Sequence, residues 1–157
     1  FNDISKQFEG NSLEGISLSL DLIWEEFATE TIPAFEEGCN AIEVGNTKVA
    51  TIQAEKLLDG AVDTFVVLSG LLQKLQAAGM DVEQALLRIT ANNLSKFPKK
   101  IDYNWCKQQG YDPVFNDKYS CFVLKDENGK TRKPFDYKSV DLSDLVSEDF
   151  FKATKYV

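Results

Sequence analysis

The chain has 157 residues, a net charge of −8 and no histidine. That length suits a single domain, 1–157, with a core of its own, and the acidic balance argues against a nucleic acid polymer as partner. Without histidine there is no Ser-His-Asp or Cys-His triad, no His-ligated zinc and no Glu-x-x-His di-iron site, so any chemistry falls to carboxylates, lysines, amides, hydroxyls or thiols.

Cys39, Cys106 and Cys121 are odd in number and form no C-x-x-C pair. Neither a disulfide framework nor a Cys₄ metal site is expected, and a reducing, cytoplasmic compartment is the simplest reading. No stretch reads as a signal peptide or a membrane span. The most apolar run, residues 60–72, contains Asp63 and is too short to cross a bilayer, so no membrane partner is expected. The chain opens on Phe1 without an initiator Met, which fits a trimmed start.

In chain order, residues 13–37 place Leu20, Ile23, Trp24 and Phe27 on one helical face. Pro33 is expected to end or kink this helix, and Gly38 to stop any helical turn beyond it. Residues 39–47 read as a loop. A second helix is expected from about Lys48 or Gln53 to Ala78, stopped by Gly79. Asp81 and Gln84 form a capping box for a third helix, with Val82, Ala85, Leu86 and Ile89 as its buried face. That helix ends before Pro98. Then residues 119–124 read as a strand, residues 126–129 (DENG) as a hairpin turn and residues 130–133 as the returning strand. Residues 141–152 are expected to form a short terminal helix. The sequence thus divides into a helical core over about 13–100 and a hairpin with a short helix over about 101–157.

The acids sit in unusual places. Glu26 and Glu30 are one turn apart on a stripe that borders the apolar face of the first helix instead of opposing it. The run GAVDTFVVLSGLL (60–72) is apolar nearly all round, which predicts a buried helix. Its single charge, Asp63, then needs a partner. Asp59 lies one turn earlier on the same line, and Gly70 further along it. Two such helices packed antiparallel gather one acidic cluster, and oxygen-only ligands suit Mg²⁺ or Mn²⁺. The plainer alternative makes Glu25, Glu26 and Glu30 a solvated face and pairs Asp63 with Lys74 or a distant lysine. Near the end of the third helix, Asn92, Asn93, Ser95, Lys96, Lys99 and Lys100 form a local positive spot suited to phosphate oxygens. Lysines at a helix C-terminus also arise from the macrodipole alone.

Four strings carry a resemblance: WEEFATE (24–30), LLDGAVDTFVVLSGLLQKLQAAGMD (57–81), ITANNLSKF (89–97) and the hairpin KYSCFVLKDENGKTRKPFDY (118–137). Together they resemble the MazG-like all-α nucleoside triphosphate pyrophosphohydrolases, in particular the phosphoribosyl-ATP pyrophosphohydrolase-like and phage-encoded branch. Glu25 and Glu26 match the opening of the family's Glu-Glu-x-x-Glu motif. Asp59, Asp63 and Gly70 resemble the second motif, and Asn93, Ser95 and Lys96 the third. Two positions depart from the pattern: the third glutamate falls on Thr29, with Glu30 next to it, and the acid before Asp63 falls on Gly60, with Asp59 next to it.

The resemblance implies a mainly α fold, an antiparallel helical bundle of the all-α pyrophosphatase type with a small C-terminal β-hairpin extension. It implies Mg²⁺-dependent cleavage of a (d)NTP between the α and β phosphates, giving a monophosphate and pyrophosphate, in nucleotide-pool control. Glu26, Glu30, Asp59 and Asp63 would hold Mg²⁺, with Mn²⁺ as a substitute. Glu25 or Glu26 would handle the attacking water, and Asn93 and Lys96 would hold phosphate oxygens. A homodimer or homotetramer is implied, in the host cytoplasm for a phage-encoded member. Hydrolysis of an alarmone or a phosphoribosyl nucleotide is the nearest alternative. A non-enzymatic helical interaction module is the alternative outside enzymes. No aromatic residue stands out for base stacking among Trp24, Phe97, Trp105 and Tyr119.

Overall fold

The protein is described by a computed structural model over residues 13–146 and Phe150. The first helical arm comprises α1 (Leu13–Trp24), a π-helical segment (Glu25–Thr31) and α2 (Ile32–Glu43). Pro33 has no N–H to give, and in an α-helix its ring presses on the carbonyl one turn back. The arm absorbs this by widening just before the proline instead of breaking: the Ile32 N–H reaches the Phe27 carbonyl, five residues back. Of the expected end or kink at Pro33, the end is corrected: the winding changes at the π segment and the helix continues, and Gly38 does not stop it. The loop expected over 39–47 is corrected too: it is helical as far as Glu43 and turns only at residues 44–46.

Gly45 takes a positive φ of 73° in that turn. Asn46 then caps α3 (Thr47–Ala77), its side-chain oxygen accepting from the Val49 N–H at 3.2 Å. The 31 residues of α3 return along α1, the π segment and α2. Small or narrow residues line the seam, with Ala34, Ala41 and Gly60 buried, joined by Leu71 and the aliphatic stem of Lys74. This is a helical hairpin and not a complete bundle. Its two arms leave much apolar surface uncovered: Trp24, Leu58 and Phe65 are each about 70% exposed. The expected buried helix over 60–72 is thus open within one chain, and Asp63 itself is exposed, because a single partnering arm covers only one side of α3.

The chain forms two compact units, Phe1–Val82 with Val146–Val157, and Glu83–Leu145, where the sequence suggested one domain with a division near residue 100. The reason lies in α4 (Val82–Leu94), which bonds to the segment after the hairpin. The Arg88 guanidinium meets the Asp144 carboxylate at 2.6 Å, Asn92 donates to the Lys138 carbonyl at 2.6 Å, and the Tyr137 hydroxyl donates to Asn92. No residue of α4 is buried, so Leu86 and Ile89 do not form the expected core face.

The second unit continues with α5 (Tyr103–Gln109), β1 (Asp112–Asn116), β2 (Cys121–Lys125) and β3 (Thr131–Arg132) in an antiparallel sheet of order β1-β2-β3. Helix α5 is capped by Asp102, whose side chain accepts from the Trp105 N–H at 3.0 Å, and it closes on Gly110 at φ 69°. Cys106 and Leu124 are fully buried, and the unit carries ring pairs Phe115–Phe122 at 4.9 Å and Trp105–Tyr111 at 5.6 Å. Sequence periodicity showed neither α5 nor β1. A 3₁₀ turn occupies Ser143–Leu145, and the rest of the terminal helix expected over 141–152 lies mostly outside the described residues. Among the described residues no helix is long and apolar enough to cross a membrane.

Candidate functional site

The close approach of Gly60 to the π segment sets the geometry. A Cβ on Gly60 would stand 2.6 Å from the Thr31 hydroxyl oxygen and 3.4 Å from the Glu26 carbonyl oxygen. Only hydrogen fits there. The Thr31 hydroxyl donates to that same Glu26 carbonyl at 2.8 Å, and the Thr64 hydroxyl donates to the Gly60 carbonyl at 2.7 Å. The acid-bearing turn of the first arm is thereby held against the stretch of α3 that carries Asp59 and Asp63. Gly70, which the resemblance singled out, has open space where its Cβ would be. The tight glycine is Gly60, one of the two positions at which the sequence departs from the motifs it otherwise resembles.

The π winding also bears on the other departure. The π segment widens the turn that carries both Thr29 and Glu30, so both stand about one turn after Glu25. Thr29 turns its hydroxyl inward, donating to the Glu25 carbonyl at 2.6 Å.

Glu26 is the electrostatic centre of the group. Burial pushes its carboxyl above the usual carboxylate range, and the negative charges of Glu30, Asp63, Glu25 and Asp59 push it further in the same direction. The other four acids named from sequence therefore all act on Glu26. Glu30 and Asp59 open into a cavity of about 450 Å³ together with Glu37, Gln53 and Lys56. Gln53 is buried and donates to the Glu37 carboxylate. Sequence reading missed Glu37, Gln53 and Lys56.

Among the described residues, no three Asp, Glu or Cys side chains are grouped so as to hold one ion. What the structure shows is like charge crowded around a half-buried carboxyl, an arrangement that a cation would relieve. The donor set, carboxylates with a nearby amide oxygen, has the chemistry of a hard-cation site. The alternative partner for Asp63 is otherwise engaged. Lys74 donates to the Gly15 carbonyl at 2.8 Å and the Ser19 hydroxyl at 2.7 Å, and burial holds its pKa below the usual lysine range.

Asn93 and Lys96 belong to the second unit. There the Lys96 ammonium donates to the Asn93 side-chain oxygen at 2.7 Å, and both line a cavity of that unit. No family model, curated protein or solved structure matches the chain.

Proposed function

We propose that the protein is a Mg²⁺-dependent nucleoside triphosphate pyrophosphohydrolase that splits a (d)NTP between its α and β phosphates and serves nucleotide-pool control. One observation carries this reading: the charges of Glu25, Glu30, Asp59 and Asp63 all act on Glu26, beside the close approach of Gly60 to Thr31 and the Glu26 carbonyl. Such crowding destabilises the chain by itself and is useful when a hard cation and a polyanion come together there.

Glu26, Glu30, Asp59 and Asp63 would hold Mg²⁺, or Mn²⁺ in its place. When bound, the ion supplies charge neutralisation for the phosphates and a template for in-line attack. Glu25 or Glu26 orients the attacking water and accepts its proton as the anhydride bond breaks and pyrophosphate leaves. Asn93 and Lys96, in the second unit, offer an amide and an ammonium to phosphate oxygens.

The same reading includes self-association in a reducing, cytoplasmic setting. Trp24, Phe27, Leu58, Val62, Phe65 and Val66 are all more than half exposed on the first unit, and a second copy of the hairpin would cover such a face. Incubating the protein with each (d)NTP and Mg²⁺, and separating the products, tests the reaction. Monophosphate and pyrophosphate are expected in equal amounts. Release of inorganic phosphate with a diphosphate product would assign a different bond.

A further inference from the structure

The second unit carries a cavity of about 650 Å³ that Asn93 and Lys96 of the third motif share with residues outside any motif: Phe97, Tyr111 and the hairpin segment 130–133. Four cations line it: Lys96 beyond the end of α4, and Lys130, Arg132 and Lys133 from the β2–β3 hairpin. No carboxylate lines it among the described residues. In a chain of net charge −8 this is a concentrated reversal of sign.

The hairpin is built to hold these cations in place. One Asp126 oxygen accepts from the backbone N–H groups of Asn128 at 3.0 Å and Lys130 at 2.9 Å, while the other takes the Arg132 guanidinium at 2.5 and 2.8 Å. Asp126 thereby neutralises one cation, and Lys96, Lys130 and Lys133 leave the excess positive. Lys133 also lies 4.3 Å from the centre of the Tyr137 ring, which steadies its long stem. Across from the hairpin, the Pro98 carbonyl accepts from the Phe122 N–H at 2.8 Å and ties the Lys96 segment to β2. Both walls are therefore anchored to one sheet.

Two rings, Phe97 and Tyr111, line the same cavity. Cations suit phosphate oxygens, and rings suit a flat heterocycle. The volume lies within the range of small-molecule sites, about 300–1,000 Å³.

The geometry points to a binding site for a nucleoside polyphosphate in the second unit, with its phosphates on Lys96, Lys130 and Lys133 and its base against Tyr111 and Phe97. The roles of Asn93 and Lys96 rest on the proposed function, but those of the hairpin lysines and the two rings do not. This site needs no metal.

The test is calorimetric titration of the full chain in chelator, at low and at moderate salt, with tripolyphosphate, a nucleoside triphosphate and the uncharged nucleoside. Saturable binding of tripolyphosphate is expected, weakening as salt rises. The double variant Lys130→Gln/Lys133→Gln should lose tenfold or more in affinity, and Lys130→Gln alone, on an exposed residue, should lose part of it. Tyr111→Leu should weaken the nucleoside triphosphate about fivefold or more and leave tripolyphosphate unchanged. Asp63→Asn in the first unit should keep this metal-free binding while losing hydrolysis, so the two readings fail separately. Absence of tripolyphosphate binding, or affinity unchanged in the double variant, would overturn the proposal. Displacement of the nucleotide by single-stranded oligonucleotide at equal base concentration would overturn it in favour of a polymer site.

Discussion

Gly60 and Thr31 meet so closely that a single methyl group on the glycine would lie 2.6 Å from the threonine hydroxyl. This contact fixes how near the acid-bearing π turn comes to Asp59 and Asp63. Gly60→Ala should therefore destabilise the protein by about 1–3 kcal/mol, since the Thr31 hydroxyl must give up its bond to Glu26 or the arms must part. Gly70→Ala, with open space at its Cβ, should instead be neutral or stabilising by up to about 1 kcal/mol. Thermal unfolding of the two variants checks the contrast. Equal effects at both positions would remove Gly60 from the role given to it.

Neutralising the crowded acids should separate stability from activity. Metal-free Glu26→Gln should unfold at a temperature equal to or above that of the parent, because a half-buried charge among four others is removed. Mg²⁺ should raise the unfolding temperature of the parent more than that of the variant. An equal rise in both would place the ion elsewhere.

Much of this was legible in the sequence, and the rest was hidden for physical reasons. Periodicity found α3 and the end of α4, and the DENG turn found the β2–β3 hairpin, because each signal is local. The acids stood out because they sit beside apolar positions, and in the structure the charges of Glu25, Glu30, Asp59 and Asp63 all act on Glu26. The π winding was not readable, since Pro33 signals a break in an α-helix and a widened turn is a tertiary compromise. The role of Gly60 was hidden for the same reason, as only the facing Thr31 shows why a side chain is excluded. The cap of α5 was present in Asp102, but seven residues carry too little periodicity to mark a helix.

The uncovered apolar face of the first unit makes a prediction about assembly. Sedimentation velocity at micromolar concentration should show a dimer or larger species. Phe65→Glu, at a position 68% exposed, should shift it toward monomer without unfolding the chain. A monomeric parent would contradict self-association.

Asp126 supplies the pH dependence. Hydrogen bonds from the Lys130 and Asn128 backbone and from Arg132 hold its carboxyl below the usual carboxylate range. A group depressed in this way contributes stability above its unfolded pKa of about 3.9, and that contribution is lost as pH falls through the lower folded value. Asp126→Asn should thus be less stable than the parent at neutral pH, and the gap should close below about pH 4. Chemical denaturation at a series of pH values measures it, and a gap unchanged at acid pH would mean that the charge on Asp126 is irrelevant.

The most direct test of the central claim is the rate of pyrophosphate release from nucleoside triphosphates in Mg²⁺, for the parent, Glu26→Gln and Asp63→Asn, each verified as folded. The account predicts turnover by the parent that stops in chelator and falls at least a hundredfold in both variants. A folded parent inert toward every nucleotide in Mg²⁺ or Mn²⁺, or variants that turn over at the parent rate, would contradict it.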